Sequence, residues 1–317
     1  MELITTAVYT VVGPSPIAGF VVFASMAFWG QYLLFRAFRV ALPGGDGRRY
    51  ALLVMLLPSM LYWPSSIGKE AWLMLFVGLT ALGAARLFTR DRGALVMLGV
   101  GAAGMTLLRP HVAVLMFAAL AVAQLFRPKG RQSTAVLSKV GGLVVLATAA
   151  VILTSQSASF LGIDDFSWQA VSESVDKAAG QASEGGSSTF ESTPIRSPGD
   201  IPSAVLTVLF RPFPWEALNA QMLVQGLEGL LLLVLLVRAW PRWRHLPTTM
   251  RASPYVTFAV VYAASFIWAF SGFGNFGILA RQRVLMLPFF LVLLALPTIH
   301  PRRRRSLDAK VLHDARR

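Results

Sequence analysis

The sequence predicts an all-α fold, a polytopic transmembrane helix bundle of about nine spans with a large extracytoplasmic loop. Three observations lead there. Of the 317 residues, 55% are hydrophobic and only 14% charged, with a mean hydropathy of +0.61, too little polar surface to coat a water-soluble globule. Apolar runs recur along the chain, separated by charge or by Gly and Pro. Basic residues gather in short clusters between those runs, and the clusters fall on alternate connections, as the positive-inside bias requires.

The expected spans are Ile17–Phe35, Tyr50–Trp63, Ala71–Leu87, Ala94–Leu108, Val112–Phe126, Val140–Leu153, Ala217–Val237, Tyr255–Phe270 and Val284–Thr298. Several fall short of the ~20 residues a straight helix needs to cross the hydrocarbon, so they borrow polar-flanked residues at one end. A weaker apolar segment, Leu3–Val12, precedes them and is set apart by Gly13-Pro14-Ser15-Pro16; a partial helix is expected there.

Alternation of nine spans places Arg36, Arg39, Arg48 and Arg49 on one side, with Arg86, Arg90 and Arg92, then Arg127, Lys129, Arg131 and Lys139. Arg238, Arg242, Arg244, Arg251 and the tail cations from Arg302 to Arg317 join them, making 22 of the 29 basic residues. That side reads as cytoplasmic, with the amino terminus outside and the carboxyl terminus inside. Residues 1–300 are then one transmembrane domain, with an extracytoplasmic loop at about 155–210, and 301–317 a basic cytoplasmic tail. The loop carries Asp164, Asp165, Glu173, Asp176, Glu184, Glu191 and Asp200. Its Gly-, Ser- and Pro-rich middle, Gly180–Gly199, is expected to be mobile, and Phe160–Lys177 to be amphipathic. A lid and a disordered spacer both fit this composition.

Several chemistries lack their anchors. The absence of cysteine removes disulfides and thiolate chemistry, and His111, His245, His300 and His313 form no HxxxH pair, so no metal or other cofactor is expected. There is no GxxxxGK[ST], no GxSxG and no GxGxxG after a strand. No cleavable signal peptide is expected, because no basic n-region precedes the first apolar run. The arginine tail reads as a topology and lipid-headgroup determinant; membrane lipids are partners and nucleic acid is not.

Charged residues near hydrocarbon depth are functional candidates. At ~1.5 Å per residue, Arg109 lies about 25 to 27 Å from Arg92 and Arg127, Arg283 about 28 Å from Arg302, and Lys69 about 30 Å from Arg49. Pro and Gly interrupt the helix in Trp63-Pro64-Ser65-Ser66-Ile67-Gly68-Lys69-Glu70, which argues for a recessed connection facing a cavity. Lys69, Arg109, Arg211, Arg281 and Arg283, from four connections, are therefore read as converging on one face to bind an anion, the guanidinium forks gripping phosphate or carboxylate. Interfacial snorkelling and structural pairing with Glu70 and Glu216 are the competing readings.

Gln221, Gln225 and Glu228 share a helix face near mid-membrane, where they bind substrate, carry a proton or pack against another helix. Glu70, His111 and Glu216 adjoin the cations and are the candidate general bases. Tyr62, Trp63, Phe213, Trp215, Trp268 and Phe273 serve either as sugar-stacking rings or as an interfacial belt.

Pro58-Ser59 with Trp63 to Glu70, Arg109-Pro110-His111, Leu209-Phe210-Arg211-Pro212-Phe213 and Arg281-Gln282-Arg283 resemble blocks in bacterial envelope-polysaccharide membrane proteins. The class is the Wzy-like polysaccharide polymerases and related lipid-linked glycan transferases. The resemblance implies a multi-pass protein of the bacterial cytoplasmic (inner) membrane whose arginines engage a polyprenyl-linked glycan substrate, working without metal beside other polysaccharide-assembly proteins. Its activity would be that of a glycosyltransferase of the polymerase type. A non-enzymatic transporter or export component for an anionic solute or glycan, and an assembly subunit of a secretion machine, are the alternatives.

Overall fold

The computed structural model describes residues 1–127 and 188–297, together with Glu173, Lys177 and Gly180. The expected span Val140–Leu153, most of Phe160–Lys177, the first part of Gly180–Gly199 and the 301–317 tail lie outside the described residues. Among the described residues the named elements are all helical: α1 (Glu2–Val12), α2 (Pro16–Ala41), α3 (Gly47–Leu56), α4 (Pro58–Tyr62), α5 (Lys69–Thr89), α6 (Ala94–Thr106) and α7 (Pro110–Leu125) come first. After the loop come α8 (Ile201–Phe210), α9 (Ala220–Trp243), α10 (Leu246–Ala252), α11 (Pro254–Phe270), α12 (Phe276–Arg283) and α13 (Leu287–Leu294). Short 3-10 turns, Pro198–Asp200 and Pro214–Glu216, precede α8 and α9.

Three helices, α2, α5 and α9, are long and apolar enough to cross a membrane, and α12 with α13 makes a fourth if their 64° bend lies within one span. Among the described residues the protein is thus all-helical, with three to four candidate spans. The apolar helices α6, α7 and α11 have 13, 16 and 17 residues. That is about 20 to 26 Å of helix against ~30 Å of hydrocarbon.

Capping chemistry sets several boundaries. Ser15 accepts the Ala18 N–H ahead of Pro16 to start α2, and Asn219 accepts the Met222 N–H at 2.9 Å to start α9. Arginines close three helix ends by donating to their last carbonyls, where the helix dipole is negative. Arg127 donates to Phe88 O at 2.8 Å beyond α5, Arg242 to Leu294 O at 3.0 Å beyond α13, and Arg283 to Leu209 O and Arg211 O, both at 2.9 Å, beyond α8.

The α2–α5 pair packs backbone against backbone. A Cβ on Gly30 would strike the Met74 carbonyl and one on Gly78 the Gly30 carbonyl, so only glycine permits this approach. Around it, Phe258, Tyr262 and Phe289 interlock edge to face between α11 and α13, with Tyr262 and Phe289 centroids 4.8 Å apart.

The segment expected to form one span from Tyr50 to Trp63 is broken. Pro58 forces Leu57 out of the helical region to φ −61°, ψ 134°, ending α3 and starting α4. Such a break within a bundle leaves backbone groups that polar side chains must satisfy. Gln31 of α2 donates to Met60 O at 2.7 Å, and Glu228 of α9 accepts the Ser59 N–H at 2.7 Å.

Candidate functional site

The connections Trp63–Gly68 and Leu107–Arg109 meet the end of α12 at one end of the bundle. Ser66 folds the first connection by donating to Trp63 O at 2.8 Å, and Gly68, extended at φ −161°, starts α5. Glu70 then falls in the first turn of α5, where the helix dipole favours a carboxylate. Arg109 is held out of the helix ahead of Pro110, at φ −146°, and reaches across to α5.

Arg109 Nη2 donates to Glu70 Oε1 at 2.8 Å, and its Nη1 to Gln282 Oε1 at 2.6 Å. Arg281 Nε lies 3.8 Å from the same Glu70 oxygen. Glu70 and Arg109 are 4% and 9% exposed, whereas the Arg281 side chain is 53% exposed. A buried pair therefore anchors a cation that still faces outward. Glu70 Oε2 has no hydrogen bond among the described residues, and a Cβ on Gly68 would sit 3.0 Å from it.

The Arg281 guanidinium stacks over Trp63, 5.1 Å from the ring centroid, and both line an open groove of about 630 Å³. Phe20, Pro58, Leu61 and Tyr62 form its apolar wall; Ser65 and Ser66 contribute hydroxyls. Phe20, Leu61 and Tyr62 are about half exposed, so the wall continues onto the outer surface of the bundle.

No protein-family model, curated protein or solved structure matches this chain. The groove is thus read from its own chemistry.

Not all the expected cations line that groove. Arg283 is 1% exposed and turned inward, its Nη1 on the end of α8, with Nε and Nη2 unpartnered among the described residues and the charge of Glu228 acting on it. The helical turn of α12 aims its last three side chains at different neighbours: Arg281 at Trp63, Gln282 at Arg109, Arg283 at α8. Arg211 is clamped through Nε and Nη2 by Glu216, and its guanidinium lies 4.6 Å from the Phe190 centroid and 5.2 Å from that of Phe276. Lys69 is exposed, with no partner among the described residues.

The candidate bases differ in freedom. Glu216 accepts from Arg211 and from the Phe213 N–H at 2.7 Å, so both its oxygens are engaged. Burial raises its pKa, but the Arg211 hydrogen bonds, the Phe213 N–H and the Arg211 charge together hold it below the ordinary value. His111 lies against Phe270, with ring centroids 6.5 Å apart. In the polar stripe, Glu228 is 3% exposed and binds Ser59, the Gln225 Oε1 is buried without a partner, and Gln221 is exposed. The helix-packing arrangement is the one observed for Glu228.

The described loop residues from 188 onward pack against the connection that follows α11 and the start of α12. Phe190 N–H donates to Gly274 O at 2.8 Å, Phe276 N–H to Ser188 O at 3.0 Å, and Ile195 N–H to Ser271 Oγ at 3.2 Å. Phe190 stacks on Phe276 with centroids 4.1 Å apart, an apolar anchor that glycine and serine content conceals. Gln282 was not among the expected site residues; its position between two arginines in an apolar context was the available signal.

Proposed function

We propose that this chain is a membrane-embedded polymerase or transferase acting on polyprenyl-pyrophosphate-linked glycans at the outer face of the bacterial cytoplasmic membrane, in envelope polysaccharide assembly. The observation that carries the reading is Arg281, a half-exposed guanidinium held by buried Glu70 and by Trp63 in a groove with an apolar wall. That wall suits a polyprenyl chain, the guanidinium a phosphate, and the Trp63 ring with the serine hydroxyls a sugar. Nine spans, with the basic clusters and the carboxyl terminus in the cytoplasm, belong to the same proposal and put the groove outside.

In this reading a sugar hydroxyl of the acceptor attacks the anomeric carbon of the donor. The bond from that carbon to the pyrophosphate oxygen breaks, and the polyprenyl pyrophosphate leaves with the electron pair. Arg281 stabilises the charge that develops on it. Arg109 and Gln282 orient Arg281 and Glu70, while Glu70 takes the hydroxyl proton through its free Oε2. The chemistry requires no metal.

Cells carrying Arg281→Ala are expected to accumulate the lipid-linked precursor and make short polymer, at unchanged protein level. Normal polymer length and precursor level, with failed export or uptake of a solute, would replace this reading with a transporter.

A further inference from the structure

Arg49, Arg238 and Arg242 come together at the end of the bundle opposite the groove. Arg242 donates to Leu294 O, while the backbone N–H of Asp46 donates to the adjacent Ala295 O at 3.0 Å. The start of α3 and the end of α9 thus meet at the end of α13. The charges of Arg238 and Arg242 both act on Arg49, and Asp46 is the carboxylate among its electrostatic neighbours. Asp46 already has a task, since its Oδ1 accepts the Arg49 backbone N–H at 3.0 Å to cap α3. The Arg49 and Arg238 guanidinium groups make no hydrogen bond or ion pair with the described residues. Among the described residues Asp46 is thus the one carboxylate set against three gathered cations, an arrangement that favours an anion.

The surface beside them is apolar. On α9, Leu227, Leu231 and Val234 lie on one face at helical spacing, all about half exposed, and Arg238 closes that stripe. On α3, Leu56 and Leu52 are likewise exposed and lead by the same spacing to exposed Arg48. The helices run in opposite directions, so both stripes end in arginine at the same end. A free phosphate would use the cations and leave the stripes unused; an amphiphile uses both.

We propose that Arg49, Arg238 and Arg242 form the headgroup site of an anionic phospholipid whose acyl chains lie along the exposed stripe of α9 that ends at Arg238. The phosphate diester sits between the Arg49 and Arg238 guanidinium groups, with Arg242 held beside them by its bond to α13. This site is independent of the groove around Arg281 and of any glycan chemistry there.

The test uses the full chain purified in an uncharged detergent and titrated with phosphatidylglycerol, phosphatidylcholine or inorganic phosphate. Bound lipid is counted by native mass spectrometry, and the thermal unfolding midpoint is followed in parallel. Phosphatidylglycerol is expected to be retained about tenfold over phosphatidylcholine and to raise the midpoint, inorganic phosphate to do neither, and Arg238→Gln to weaken retention about fivefold. Arg49→Gln combined with Arg238→Gln should erase the preference. Equal retention of the two lipids, a full midpoint shift with inorganic phosphate, or an undiminished preference in the variants would each overturn the proposal. Should the double variant fail to fold, Arg238→Gln carries the test, because that side chain is exposed and unbonded.

Discussion

Ser59 donates both its backbone N–H and its hydroxyl to the carboxylate of Glu228, 169 residues further along the chain. The break at Pro58 frees the Ser59 N–H, and an acidic residue inside an apolar helix satisfies it. Neither group would be stable at that depth without the other.

Replacing Glu228 with Leu should therefore destabilise the protein by about 1–3 kcal/mol, because the Ser59 N–H and hydroxyl lose their acceptor. Glu228→Gln keeps one acceptor oxygen and should cost less. Unfolding midpoints in detergent check the order; a Leu variant as stable as the parent would remove the capping role.

Arg109 makes two directed bonds, to Glu70 and to Gln282, from two guanidinium nitrogens. A lysine ammonium at the same place cannot reproduce that fork, so Arg109→Lys should fold and, under the proposed function, lose glycan extension. Arg109→Ala should fold poorly, since stranding a buried carboxylate costs about 3–5 kcal/mol. Expression level and polymer length, read together, separate the two effects.

Gly68 offers a milder probe. A Cβ there would lie 3.0 Å from Glu70 Oε2 and 3.3 Å from Ser66 Oγ, displacing the carboxylate without breaking its pair with Arg109. Under the proposed function, Gly68→Ala should lower the rate of chain extension about ten- to a hundredfold, with the unfolding midpoint nearly unchanged. Unchanged extension would show that Oε2 takes no part in the reaction.

Glu216 sets a pH window. Its folded pKa lies below the ordinary 4.5, so its contribution is present above that value and is lost as pH falls through the folded pKa. Acid titration of the unfolding midpoint should show a loss beginning below about pH 4.5 that Glu216→Gln flattens. A variant that titrates like the parent would leave the Arg211 clamp without a stabilising role.

Apolar periodicity and the Pro and Gly residues made much of the helical framework legible, including the turn between Trp63 and Glu70. The directions of side chains were not legible. Sequence alone places Arg281 and Arg283 on one face as converging cations. Two positions apart on α12, they instead point to opposite sides, Arg281 to the groove and Arg283 to the carbonyls of α8. Long-range partners were equally hidden: no local pattern links Ser59 to Glu228, or Arg109 to Gln282. Among the described residues three to four helices are long enough to span by themselves, whereas α6 and α7 have only 13 and 16 residues.

The most direct test of the groove is equilibrium binding of a polyprenyl pyrophosphate to the protein in nanodiscs, with the uncharged polyprenol as control. The parent should bind the pyrophosphate well above the polyprenol, and Arg281→Gln should lose that difference while still taking up the polyprenol. Equal binding of both lipids by the parent, or an undiminished pyrophosphate preference in Arg281→Gln, would contradict the assignment of Arg281 as the phosphate-facing cation.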